Sequence, residues 1–176
     1  SSSSAASDVY KRQALRRLTF MERLVSAMAE MNDSFNEVTA EMLKVISDYD
    51  SVTGFQGAYN IRQDSMCAGR KNSENITIES KTDKPGINIR VKPGTKGETV
   101  YIPACVTHSN VDDLVYNDFF IGEGADVTIV AGCGVHSDGS ETARHNGIHR
   151  FFLEKGAKVL YKEKHIGTGK GTGLRR

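Results

Sequence analysis

A chain of 176 residues with 38% hydrophobic content can bury one core and is short for two domains. Basic and acidic residues nearly cancel, to a formal charge of +1, so no global field draws the chain to nucleic acid, and the clusters Arg70-Lys71 and Lys170, Arg175, Arg176 are too thin to supply a local one. No apolar run approaches the roughly 18 residues that a bilayer crossing needs and no apolar secretory core follows the first charges, which makes the cytoplasm the expected location, without membrane or nucleic-acid partners.

Residues 1–13 are a serine-rich lead unlike the rest of the chain, with the look of adapter or cloning sequence, and are set aside. Residues 14–52 carry a helical pattern. Met21, Leu24, Val25 and Met28 fall on one face, then Phe35, Val38, Met42, Leu43 and Ile46 on another, and Asn32, Asp33 or Ser34 can cap the second stretch. After Thr53-Gly54 the period becomes two. Asn75–Glu79, Ile87–Val91, Thr99–Ile102 and Asp126–Val130 alternate β-branched and polar residues, as strands with one buried face do, and Asp83-Lys84-Pro85-Gly86, Lys92-Pro93-Gly94 and Gly122-Glu123-Gly124 supply turns between them.

A longer repeat lies over these strands. Gly97-Glu98-Thr99-Val100 leads to Cys105 and His108, Gly124-Ala125-Asp126-Val127 leads to Cys133 and His136, and Gly156-Ala157-Lys158-Val159 leads to His165. Phe119-Phe120-Ile121 precedes the second copy as Phe151-Phe152-Leu153 precedes the third. Such self-similarity is the mark of stacked units, and it favours a β-helix over a sandwich or barrel, with Val100, Val127 and Val159 as an interior ladder.

Thiolate and imidazole are metal-ligating side chains, so Cys105, Cys133, His108, His136, His145, His149 and His165 are the candidate ligands. The three cysteines, an odd and sparse set, are expected to be reduced. Strand parity argues against a single Cys-x-x-His copy, whose two side chains leave opposite faces. Gly132 and Gly134 would permit a turn that relieves this around Cys133; Cys105, between Ala104 and Val106, reads as core. Cys67 falls in a polar loop near Arg70. His145-x-x-x-His149 shares a face in helix or strand and is the better local pair. Gly167–Gly173 is similar to a phosphate loop but lacks the serine or threonine after its lysine, and Asp112-Asp113 with Glu123 read as solvated loop charges.

Several segments together resemble the SufB/SufD family of iron-sulfur cluster assembly proteins, in its short SufD-like branch. They are Gly57–Arg62, Cys67–Ser73, Asp83–Thr95, Val115–Gly122, Val130–His136 and His145–Phe151. The resemblance covers about residues 57–173. It implies a right-handed parallel β-helix over 57–176, following the helical segment, that stops within the family's core. It also implies a non-catalytic scaffold acting with the SufC-type ABC ATPase and with a SufB/SufD-type partner or a second copy, on which an iron-sulfur cluster is held transiently. Cys133, His136, His145 and His149 are the expected iron or cluster ligands, His145 lying where family members carry a histidine. Where longer members have Gln-Asn-Trp, this chain has Lys164-His165-Ile166. Two other readings compete: a cupin-like metalloenzyme, for which His145, His149 and Glu154 have the wrong spacing, and a purely structural partner subunit.

Overall fold

A computed structural model describes residues 33–170 and 173–175; the lead and the first helical stretch, around Met21 to Met28, lie outside the described residues. Eleven strands and one short helix are described. The strands are β1 (Ala58–Gln63), β2 (Met66–Lys71), β3 (Ile76–Ser80), β4 (Gly86–Val91), β5 (Lys96–Tyr101), β6 (Ala104–Val106), β7 (Asp112–Ile121), β8 (Asp126–Ser137), β9 (Ala143–Leu153), β10 (Lys158–Gly169) and β11 (Gly173–Arg175). The described residues are therefore all-β, with the helix α1 (Glu37–Ile46) beside the strands.

Two antiparallel hairpins, β1–β2 and β3–β4, begin two separate sheets. From there each sheet grows by parallel addition. One runs β2-β1-β5-β8-β10, with β6 bridging β1 and β8; the other runs β3-β4-β7-β9-β11. From β6 onward successive strands alternate between the sheets, so each return lands parallel to the strand one cycle earlier. Parallel ladders of this kind exclude the cupin alternative, whose jelly roll is built from antiparallel strands.

The turn at Gly94 (φ +72°) recurs at Gly124 (φ +67°) and Gly156 (φ +70°), each a left-handed position that favours glycine. Each turn is hydrogen-bonded to the next, Gly94 N–H to the Glu123 carbonyl and Gly124 N–H to the Lys155 carbonyl, at 2.9 Å in both cases. Gly94, not Gly97, is thus the counterpart of Gly124. Gly97 (φ +69°) sits in a bulge between Lys96 and Glu98, and the inserted residue shifts everything after it. Val127 lies beside Val159 as expected, but Val100 lies beside Ile129, which in turn neighbours Tyr161. The proposed valine ladder is interior at Val100 and Val127, yet it is not one row.

The inner faces of both sheets meet in an apolar core. Ala58, Val100, Val127, Ile129 and Ala131 of one sheet face Ile76, Ile78, Ile87, Ile89, Val91, Phe119 and Ile121 of the other. Phe119 is fully buried and stacks on Phe151 one strand on, with ring centroids 4.7 Å apart. Burial of side chains of this size stabilises by roughly 1.5–3 kcal/mol each.

Helix α1 covers the outer face of the first sheet. Asn36 caps it by accepting a hydrogen bond from Thr39 N–H (2.9 Å), and its own N–H donates to Gln63 Oε1, which ties the cap to β1. Thr39, Met42, Leu43 and Ile46 form the buried stripe, packed with Ile61, Ala68 and Cys105. The helix comes so close to β8 that a Cβ on Gly132 would stand 2.4 Å from the Ile46 carbonyl oxygen, and one on Gly134 would stand 2.5 Å from Met42 Sδ. These glycines make no turn. The strand passes straight through them, and they give α1 its seat. Gly132→Ala should therefore lower stability by about 1–3 kcal/mol, seen as a reduced urea midpoint with unchanged slope; an unchanged midpoint would mean that the helix does not rest on β8.

Candidate functional site

The apolar core gives way to polar walls further along the same strands. In the first sheet, the row after Ala131 is Arg62, Ala104, Cys133 and His165, registered across β1, β6, β8 and β10. Across from it, the second sheet presents Asp113 beside His145 and Ile87 beside Asn117 and His149. A cavity of about 230 Å³ opens between these rows, lined by Arg62, Cys133, His145, His149, Glu163 and His165 among others. It is bounded on one side by the Phe119–Ile129 core and flanked on the other by the apolar group Val106, Val135 and Ala143.

Three of the four expected ligands, Cys133, His145 and His149, line this one cavity. His136 does not. It stands three residues from Cys133 on a continuous strand and so faces outward, where Nδ1 meets Thr168 Oγ1 at 2.9 Å. Cys105 faces the helix, within the Met42, Leu43 and Ile46 group, as the core reading required. Cys67 belongs to β2 rather than to a loop, its Sγ 3.4 Å from Asn60 Oδ1. His108 is exposed, with Nδ1 3.0 Å from Asp64 Oδ2.

The residue most misjudged from sequence is Asp113. It is a strand residue only 2% exposed, not a solvated loop charge. Arg62 Nε and Nη2 donate to its two oxygens at 2.9 and 2.7 Å, and His145 Nδ1 lies 2.9 Å from Oδ2. Burial opposes ionisation here, but the hydrogen bonds from His145 and Arg62 outweigh it and hold the carboxyl well below its ordinary range. The signal was present in the alternation Asp113, Val115, Asn117, Phe119, which puts all four on one face. Glu163 was also missed; its Oε1 lies 3.3 Å from His165 Nε2.

His149 is kept neutral chiefly by burial, which lowers its pKa, so the ring carries a lone pair. Gly147 leaves it room, since a Cβ there would come 2.8 Å from His149 Nε2. Among the described residues no three His, Cys, Asp or Glu side chains are grouped closely enough to hold a single metal ion. The donors are spread over the walls. On the outer face of β7, Asp118 accepts from Arg150 and Lys81, and these bonds lower its pKa strongly as well.

Comparisons with known proteins give a consistent picture. No family model and no solved structure matches the chain. It is similar to an iron-sulfur cluster assembly SufBD family protein of Methanothermobacter thermautotrophicus (strain Winter), 32% identical over 89 residues, or 49% of this chain and 21% of that protein. A SufBD family protein of Archaeoglobus fulgidus is 33% identical over 98 residues, 54% of this chain and 26% of its own length. The Delta H strain of M. thermautotrophicus has another, 30% identical over 89 residues, 49% of this chain and 21% of that protein. The matches thus span between a fifth and about a quarter of the relatives' lengths. Among the described residues no helix is long and apolar enough to cross a membrane.

Two outcomes follow from the site's environment. Burial, then the neighbouring Cys133, push the Cys105 thiol up to about 12, so at mildly alkaline pH an alkylating reagent should modify Cys67 first and leave Cys105 untouched until the protein unfolds; mass mapping that finds Cys105 modified in the folded protein contradicts this placement. Asp113 and Asp118 have depressed folded-state pKa values, so their stabilisation is complete above the ordinary carboxylate value of about 3.9 and is lost as pH falls below it. The urea midpoint should hold steady at neutral pH and drop below about pH 4, and Asp118→Asn should lower it at neutral pH while flattening the drop. An equally steep drop in the variant would remove Asp118 from the account.

Proposed function

We propose, for a chain belonging to the SufBD family of iron-sulfur cluster assembly proteins, that it is a non-catalytic scaffold component in the cytoplasm, working with a SufC-type ABC ATPase and with a SufB/SufD-type partner or a second copy of itself. Its two sheets, joined by the recurring turn at Gly94, Gly124 and Gly156, are read as coils of a right-handed parallel β-helix. The observation that carries the functional reading is the cavity, where Cys133, His145 and His149 from opposite sheets share one space with Glu163 and His165.

The chemistry of those donors suits iron and sulfide. A thiol and imidazoles favour iron and iron-sulfur species over hard cations such as magnesium or calcium. Their spacing matters too. Donors that do not converge on a point, around a cavity of about 230 Å³, suit a polynuclear cargo bridged by sulfide better than one ion. Cys133, His145 and His149 are the proposed contacts, and His136 is left out because it faces away. The cluster is cargo in this reading, so the protein holds and passes it, and ATP hydrolysis belongs to the partner.

Anaerobic incubation of the full chain with ferrous iron and sulfide should give a charge-transfer absorption band. That band should fall severalfold in Cys133→Ala and in His145→Ala and persist in Cys105→Ala. A band that needs Cys67 but not Cys133, or no band even with the ATPase and a SufB/SufD-type partner present, would overturn the reading.

A further inference from the structure

The Asp113 carboxylate has no role in the cluster reading, yet it is bonded to two residues that line the cavity, Arg62 and His145. We infer that Asp113, clamped by Arg62, is a positioning residue: it holds the proton of His145 on Nδ1 and leaves Nε2 as the bare nitrogen available to whatever occupies the cavity.

Arg62 reaches both oxygens of Asp113, with Nη2 on Oδ1 at 2.7 Å and Nε on Oδ2 at 2.9 Å. A carboxylate gripped in this bidentate way stays ionised and can only accept. The short contact of His145 Nδ1 with Oδ2, at 2.9 Å, must then be Nδ1–H donating. With Nδ1–H committed to Asp113, the lone pair of the neutral ring falls on Nε2, and His145 lines the cavity and is 8% exposed.

The arrangement is one by which proteins commonly orient a histidine that binds metal: a carboxylate behind the ring fixes its tautomer and raises its basicity. Here it spans both sheets, since Arg62 comes from β1 and Asp113 and His145 from β7 and β9. The ion pair is neutral overall, so it orients the imidazole without itself attracting or repelling a cation. Asn117, beside His149 two inward-facing rows along, does the opposite: its Oδ1 accepts from Ile87 N–H, and its Nδ2 points at His149 Nδ1 from 3.5 Å, which favours the proton on Nε2 of that ring. His145 is therefore the better-positioned of the two imidazoles.

Two measurements separate this inference from the iron reading on which its consequence rests. Nitrogen-15 NMR of the histidine rings in the metal-free full chain should find His145 with Nδ1 protonated and Nε2 bare. Asp113→Asn, which can turn its amide N–H toward Nδ1, should raise the Nε2–H form at least severalfold, and Asp113→Glu should restore the original tautomer in part. A wild-type His145 protonated on Nε2, or on both nitrogens at neutral pH, overturns the inference whether or not iron binds. Where the wild-type tautomer is as expected, ferrous iron titrated with sulfide should bind Asp113→Asn about 10–100-fold more weakly than wild type, with Asp113→Glu between them. Equal binding by Asp113→Asn, in a sample whose NMR spectrum remains folded, contradicts a positioning role. Binding absent from wild type sinks the iron reading alone and leaves the tautomer result standing. Should Asp113→Asn not fold, the wild-type tautomer and the Asp113→Glu titration still decide.

Discussion

Along β8 successive side chains leave the backbone on opposite sides, and both sides are spoken for. Gly132 and Gly134 lie under Ile46 and Met42 of α1, and Cys133 between them faces the cavity. Both edges of the strand are paired, with β5 and β6 on one side and β10 on the other, so no local slip is available. A shift of one residue would drive the Cys133 side chain into the helix and turn a glycine toward the imidazoles. The helix seat and the position of the thiol are thus one constraint seen from two faces of a strand.

The same alternation lets a polar cavity exist inside a small domain. Charges inside a protein are costly unless paired, and on β7 two carboxylates are paired by the same means on opposite faces. Asp113 turns inward to Arg62 and His145, and Asp118 turns outward to Lys81 and Arg150. Among the described residues no buried side-chain nitrogen or oxygen lacks a hydrogen-bond partner. Of the other groups on the cavity wall, Cys133, His149 and Asn117 can stay neutral and the Glu163 carboxylate lies 3.3 Å from His165 Nε2, which makes the space polar without filling it with uncompensated charge. Apolar packing around Phe119 and Ile129 and around Val106 and Val135 fixes the distance between the sheets on either side of it.

Much of this was legible in the sequence wherever period two governs. The strands at Ile76–Ser80, Gly86–Val91 and Asp126–Ser137 announce themselves by alternation. Strand parity also sets Cys133 and His136 on opposite faces, but only the unbroken course of β8 rules out the turn that would have rejoined them. What escaped was register. One bulged residue at Gly97 makes the first copy look aligned on Gly97 when the turn that recurs is Gly94, a difference that hydrogen bonding between turns decides and composition does not. Gly132 and Gly134 would permit a turn, because glycine is permissive, whereas here its lack of a side chain is what counts. Asp113 was misjudged because a charged pair suggests solvent; its partner Arg62 is 51 residues distant in the chain, and no local pattern reveals it.

The central claim is that iron sits between the sheets on a sulfur from one and an imidazole from the other. X-ray absorption at the iron edge, on the full chain loaded anaerobically with iron and sulfide, tests it most directly. The account predicts a first shell containing sulfur together with nitrogen, the outer-shell scattering of an imidazole ring, and loss of that ring signal in His145→Ala. A first shell of oxygen alone, or a ring signal unaltered by removal of His145, would contradict it.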